Sequence, residues 1–184
     1  MVPVEIGRTL RARNRAEWRR WLEKNHQTAS VIWLVYYTKS SGKPFVRYDH
    51  AVEEALCFGW IDGIIKKLET DSRAQRFTPR RPKSPVSELN KERMRRMIDA
   101  GKMTEAGLAA APDLHDEFEF WPEILAELKA DPVVWENFQR FPETYRRIRI
   151  GWIQNTTGNA EVRRQRLDYL IKMTREGKEF GTMP

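Results

Sequence analysis

Val31-Ile32-Trp33-Leu34-Val35-Tyr36-Tyr37 is an unbroken run of aliphatic, β-branched and aromatic residues. It is too short for a typical helix and reads as a strand covered on both faces. Downstream, Ser40-Ser41-Gly42-Lys43-Pro44 is a turn. Further on, Ile61-Asp62-Gly63-Ile64-Ile65-Lys66-Lys67-Leu68 and Ala74-Gln75-Arg76-Phe77-Thr78 read as two more strands, with Glu69-Thr70-Asp71-Ser72 as the hairpin connection. Between the first strand and this pair, Asp49 is placed to cap a helix running to about Phe58, with Gly59 as its terminator. Upstream, Asn14-Arg15-Ala16-Glu17 has the spacing of a helix N-terminal box. The helix it opens carries Trp18, Trp21 and Leu22 on one face.

Pro79-Arg80-Arg81-Pro82-Lys83-Ser84-Pro85 is expected to be extended, because its prolines forbid helix. A helix follows over 87–100, closed by Gly101, and another begins near Thr104, with Thr104 or Lys102 at its start. From Pro112 onward the strand signals stop. Apolar spacings around Trp121 to Leu128, Trp135 to Phe141, Tyr145 to Trp152 and Leu167 to Ile171 mark four helices. The fold expectation is therefore α+β: a small antiparallel sheet of about three strands packed with helices over 1–111, followed by an all-helical C-terminal portion over 112–184.

The 184 residues, 40% hydrophobic and 32% charged, suit an ordinary soluble globule of one domain or one domain with an appended half. The single cysteine, Cys57, excludes an internal disulfide and fits a reducing compartment. Glu5, Arg8, Arg11 and Arg13 interrupt the apolar stretch that an export signal needs. No run approaches the roughly 20 apolar residues of a membrane-spanning helix. A cytoplasmic location without membrane insertion is expected. The net charge of +7 is unevenly spread: +7 over 1–47, +2 over 48–111, −7 over 112–139 and +5 over 140–184. An acidic block beside basic ones can be neutralised within the fold, which leaves less field to attract phosphates.

On a helical wheel, Ala51, Val52, Ala55, Leu56 and Phe58 share one broad arc, and His50, Glu53, Glu54 and Cys57 the opposite one. The adjoining strand and loop bring Asp62, Arg76, Arg80, Arg81, Lys83 and Ser84. These groups either lock helix to sheet as a Glu–Arg network or form the wall of a polar cleft. In the second case Arg76, Arg80 and Arg81 present rigid forks to an anion, and Ser84, Ser87 and Asn90 sit near the next helix start, where free N–H groups also favour anions. Trp18, Trp21, Trp33 and Trp60 are assigned to the core.

Glu53-Glu54-Ala55-Leu56-Cys57-Phe58-Gly59-Trp60-Ile61-Asp62-Gly63, then Arg76-Phe77-Thr78-Pro79-Arg80-Arg81-Pro82-Lys83-Ser84, then Asn90-Lys91, resemble the signature of the YdeI/OmpD-associated proteins. These are bacterial proteins commonly labelled bacteriocin-protection proteins. The resemblance runs from about Trp18 to Gly107 and more loosely into the C-terminal helices. It departs at Val86, where the pattern has a Trp between two serines, and at Asn155-Thr156-Thr157, where an Ala-Lys-containing turn is usual. It implies a fold and brings no catalytic residues that transfer position by position.

The functional expectation is a non-enzymatic binding or stress-tolerance protein without a cofactor or metal. Its candidate ligand is a small anion in a cleft between the 49–58 helix and the 76–84 loop, made of Glu53, Glu54, Cys57, Asp62, Arg76, Arg80, Arg81, Ser84 and Asn90; a protein partner is the other candidate. The alternative of another class is nucleic-acid binding through Arg146, Arg147, Arg149, Arg163, Arg164 and Arg166 with Trp152 nearby. The same arginines can instead pair with the acidic 112–139 block. A thiol enzyme at Cys57 would need a base, and His50 lies seven residues back, about 10 Å in helical rise. A metal or iron-handling reading would use Asp113, His115, Asp116, Glu117 and Glu119, which follow no fixed ligand spacing.

Overall fold

A computed structural model describes residues 5–156 and 158–184; Thr157, part of the altered turn noted above, lies outside the described residues. Contacts divide the chain into two units, one made of the residues up to Ser84 with Arg93–Pro112, the other of Pro85–Glu92 with Asp113–Pro184.

In the first unit the long apolar run becomes strand β2 (Ile32–Tyr37), an inner strand of the sheet. It pairs antiparallel with β4 (Ser72–Pro79), and β4 pairs antiparallel with β3 (Trp60–Glu69). The register sets Ile32 opposite Phe77, Trp33 opposite Arg76 and Leu34 opposite Gln75. The hairpin carries an irregularity between Asp62 and Ile65. The sheet has one more strand than expected: β1 (Thr9–Leu10) runs parallel to β2, giving the order β1-β2-β4-β3. Two residues are too few to show an alternation, so periodicity could not announce it.

Helix α1 (Arg15–Asn25) starts at its predicted cap, with the returning Glu17 carboxylate reaching one residue beyond the N-cap. Asn14 accepts from Glu17 N–H at 3.0 Å, and the Glu17 carboxylate accepts in return from Arg13 N–H at 2.8 Å. Helix α2 (Tyr48–Cys57) differs from expectation at its start. Arg47 is the N-cap and makes no side-chain capping bond, while Asp49 lies in the first turn and pairs with Arg93 at 2.8 Å. An acid in the first turn still complements the helix dipole. Gly59 ends α2 at φ +73°, a conformation open mainly to glycine.

Trp18, Leu22, Ala51, Ala55, Phe58, Trp60, Phe77 and Met97 close one core with Ile32 and Leu34. Trp18 stacks on Trp21 at 5.4 Å and meets Phe77 at 5.2 Å, and Trp21 meets Trp60 edge-on at 5.7 Å. Such ring pairs add to simple burial. Three of the four tryptophans assigned to the core are buried, and Trp21 is packed against it.

Helix α3 (Glu88–Asp99) follows, ended by Gly101 at φ +64°, and then α4 (Glu105–Ala110), capped by Thr104. The second unit holds α5 (Pro122–Lys129), α6 (Pro132–Arg140), α7 (Glu143–Gln154) and α8 (Ala160–Arg175). Asp131 caps α6 and Asn159 caps α8. Ile124, Leu128, Val134, Phe138, Ile150, Ile153, Leu167 and Leu170 form its core. The fold is α+β with a helical C-terminal part. Among the described residues no helix is long and apolar enough to cross a membrane.

Candidate functional site

The supposed polar arc of α2 is not a surface. Residues 51–60 are all buried, including Glu53, Glu54 and Cys57. Their cover comes from both sides. Trp18 of α1 donates its indole N–H to Ala51 O at 2.9 Å. Thr104 ahead of α4 donates its hydroxyl to Cys57 O at 2.7 Å, and Gly107 lies so near that an added Cβ would sit 2.2 Å from that oxygen.

Enclosed in this way, the two glutamates take their counter-charges from α1. Arg15 bonds Glu53 at 2.7 Å and also Glu54, and Arg19 bonds Glu54 at 2.7 Å. Arg19 also donates to Lys102 O at 3.1 Å. Spacing of four on α1 puts both guanidinium groups on one face, where they meet the Glu53–Glu54 pair. The network is thus helix to helix, not the helix-to-sheet lock with Arg76, Arg80 and Arg81 that the sequence suggested.

Cys57 sits at the end of this network. Burial, reinforced by the Glu54 charge, pushes its thiol up to about 11. That is the wrong direction for a nucleophile, since the thiolate is the reactive form. Asp62 is engaged elsewhere, accepting from Tyr48 Oη at 3.0 Å and Gln75 Nε2 at 2.8 Å. Asn90 lies in the first turn of α3, its N–H bonded to Ser87 Oγ at 3.3 Å, and lines none of the cavities described next.

What does converge is the loop after β4. It is not extended throughout: residues 82 and 83 make a turn, with Lys83 at φ +60°. Arg80 N–H is anchored on Gly59 O at 2.9 Å. The Arg80 side chain closes the turn by donating Nη2 to Ser84 O at 2.9 Å and Ser84 Oγ at 3.1 Å, and Ser84 Oγ donates to Arg81 O at 2.8 Å. The Arg80 Nε is buried with no acceptor. Burial lowers the pKa of this guanidinium, yet an arginine keeps its charge throughout the physiological range.

An open cavity of about 520 Å³ lies here, with Arg80, Arg81, Lys83 and Ser84 on one side. Its other wall is Ala106, Ala109, Ala110, Ala111 and Pro112, from α4 and its end. A second, of about 460 Å³, shares Arg81 and Ser84 and adds Arg76, Ser30 and Thr78. Arg76, Arg80, Arg81 and Ser84 therefore surround the same loop, while Glu53, Glu54, Cys57, Asp62 and Asn90 do not. The alanine wall escaped the sequence reading. The run Ala109-Ala110-Ala111-Pro112 was its trace, since small side chains at a helix end leave a shallow apolar face.

The C-terminal arginines are mostly occupied inside their own unit. Arg147 pairs with Glu88 and Glu92 at 3.0 and 2.9 Å. Arg164 pairs with Glu127 and Asp168, and Arg175 with Asp131. Arg163 lies over the Trp121 ring and Arg146 over Phe138. The acidic block does supply partners to these helices. The residues named for a metal, Asp113 to Glu119, form no cluster able to hold an ion among the described residues.

The class the structure defines is an α+β unit with a polar, arginine-bearing loop, followed by a helical second unit. The chain belongs to the family described as Domain of unknown function (DUF8412), whose model matches residues 10–110, and its residues 108–177 match the model described as Bacteriocin-protection, YdeI or OmpD-Associated. The YdeI/OmpD-associated likeness is thus shown, and the named model lies downstream of the Glu53–Gly63 string, which falls in the first match. No curated protein and no solved structure matches the chain.

Proposed function

We propose that the chain is a non-catalytic binding protein for a small organic anion with an apolar body, held between the loop after β4 and the alanine face of α4. The observation that carries this reading is a charge imbalance. Arg76 on β4 and Arg80, Arg81 and Lys83 in the loop after it border two open cavities, and among the described residues none of them pairs with a carboxylate. Elsewhere Arg11, Arg13, Arg15, Arg19, Arg93, Arg140, Arg147, Arg164 and Arg175 pair with carboxylates, while Arg146, Arg149, Arg163 and Arg166 lie over aromatic rings. Guanidinium groups pre-set by a hydrogen-bonded turn lose little freedom on taking a carboxylate or phosphate, and bidentate pairing adds specificity. The alanine wall favours a ligand with a compact apolar part over a bare inorganic ion. The site lies almost wholly in segment 1–111, which we take as the α+β domain, with Pro112 at the start of the helical portion 112–184 completing its wall.

Thermal-shift measurements with benzoate, hexanoate and phenyl phosphate, against benzamide as the uncharged control, test the reading. A ligand at 100 times its Kd stabilises a protein by about 2.7 kcal/mol. The anions should raise the Tm of the natural chain and leave a folded Arg80→Gln variant unmoved. Equal shifts with benzamide, or unchanged shifts in Arg80→Gln, would sink it.

A further inference from the structure

The second unit holds a different arrangement, independent of the loop site. After α8 the chain turns back, and residues 178–183 lie against α7 and α8 without forming helix or strand. Phe180 is the anchor. Its ring meets Tyr169 at 4.7 Å, Trp152 at 6.1 Å and Tyr145 at 6.4 Å, each near perpendicular. Its N–H donates to Tyr145 Oη at 3.2 Å.

Beneath it is Arg149, only 6% exposed, whose guanidinium lies 5.5 Å from the Tyr145 ring and 5.3 Å from Phe180. Nη2 donates to Thr182 O at 2.6 Å, Nε has no acceptor, and no carboxylate among the described residues pairs with it. Glu179 lies close enough to act on it electrostatically but forms no ion pair. Gly181 passes directly over the guanidinium, at φ +76°, where an added Cβ would be 2.1 Å from Nη1.

This is how a groove holds a peptide. An aromatic side chain fills a ring-lined pocket, a glycine crosses a tight point, and the following carbonyl is read by an arginine. The occupant is lightly held, since residues 177–179 and 181–182 are exposed and the polar contacts are few. Trp152 and Tyr169 remain 37% and 45% exposed with Phe180 in place, so the groove stays open at its rim.

We propose that Tyr145, Arg149, Trp152 and Tyr169 form a peptide-docking groove that residues 178–183 occupy in cis. Its partner in trans is an extended peptide with an aromatic residue, then glycine, then a residue whose carbonyl reaches Arg149. The intrachain segment acts as a built-in competitor, because tethering gives it a high effective concentration.

The test uses the 184-residue chain carrying Phe180→Ala, which empties the pocket, and a labelled peptide of sequence Lys-Glu-Phe-Gly-Thr-Met-Pro followed by fluorescence anisotropy. The peptide should bind this variant saturably and at least about tenfold more tightly than it binds the natural chain. Changing the peptide's Phe to Ala, or adding Arg149→Gln to the protein, should each weaken binding by about tenfold or more. Should Phe180→Ala fail to fold, Gly181→Ala weakens the same cis contact and is held to the same outcomes. A folded variant that binds no peptide, or binds the Phe and Ala peptides alike, overturns the proposal.

Discussion

Replacing Glu54 by Ala should destabilise the first unit by about 2–3 kcal/mol, and the size follows from what the carboxylate holds. Its side chain is 2% exposed and accepts from both Arg15 and Arg19. Breaking a buried ion pair by removing one partner costs about 3–5 kcal/mol, because the remaining charge stays buried and uncompensated. Here the two arginines are 26% and 28% exposed, so water relieves part of that penalty, and Arg15 keeps Glu53 at 2.7 Å. The loss therefore belongs at or just below the low end. Glu54→Gln, which preserves volume and an acceptor, should cost less than Glu54→Ala. Urea unfolding at neutral pH measures both, and adding Arg19→Ala completes a cycle that should show coupling above about 0.5 kcal/mol. A loss below about 0.5 kcal/mol for Glu54→Ala, within the range of ordinary surface changes, would refute the claim that these glutamates are structural.

Cys57 should resist alkylation by iodoacetamide in the native protein at pH 7.5 and react readily in urea, because burial and the Glu54 charge raise its thiol to about 11; native modification at the rate of a free thiol would contradict this. Gly107→Ala should cost more than about 2 kcal/mol or prevent folding, since the new methyl meets the Cys57 carbonyl rather than a movable side chain, and a neutral Tm would show that α4 can shift freely. Tyr48 has its phenol raised to about 12, first by burial and then by the Asp62 charge. The folded state thus holds this proton more tightly than the unfolded one, so its contribution is intact below about pH 10 and declines as pH rises from there toward about 12. Tyr48→Phe should flatten the alkaline fall in stability over that window, and an unaltered fall would assign it to other groups.

Much of the fold was legible because its determinants are local. The β2 run, the Asn14 box, Gly59, Gly101 and the Thr104 cap each act within a few residues of themselves, and each appears where the pattern put it. The site was legible only in part. Arg76, Arg80, Arg81 and Ser84 are neighbours in sequence, so their convergence needed little more than one turn. Glu53 and Glu54 were misassigned because their partners lie 35 to 39 residues upstream on α1, and helix crossing is a tertiary fact that an amphipathic wheel does not contain. The wheel also presumes that one face is wet. A helix covered by α1 on one side and α4 on the other violates that assumption, and its polar residues become a buried ion network. The alanine wall was missed for the opposite reason: small apolar residues carry no chemical signal until something charged is placed across from them. Arg149 looked like one of several helix arginines, and only its burial under the 178–183 segment, with a backbone carbonyl as its partner, sets it apart.

The central claim is that Arg80 and its neighbours receive an organic anion against the α4 alanines. Side-chain Nε–Hε and alanine methyl resonances, followed by NMR while benzoate is added, test it most directly. Saturable shifts of Arg80 together with Ala109 and Ala110, absent with benzamide, are the predicted result. Shifts that rise without saturation and spread evenly over the exposed arginines would contradict the account, because they describe a charged surface and not a site.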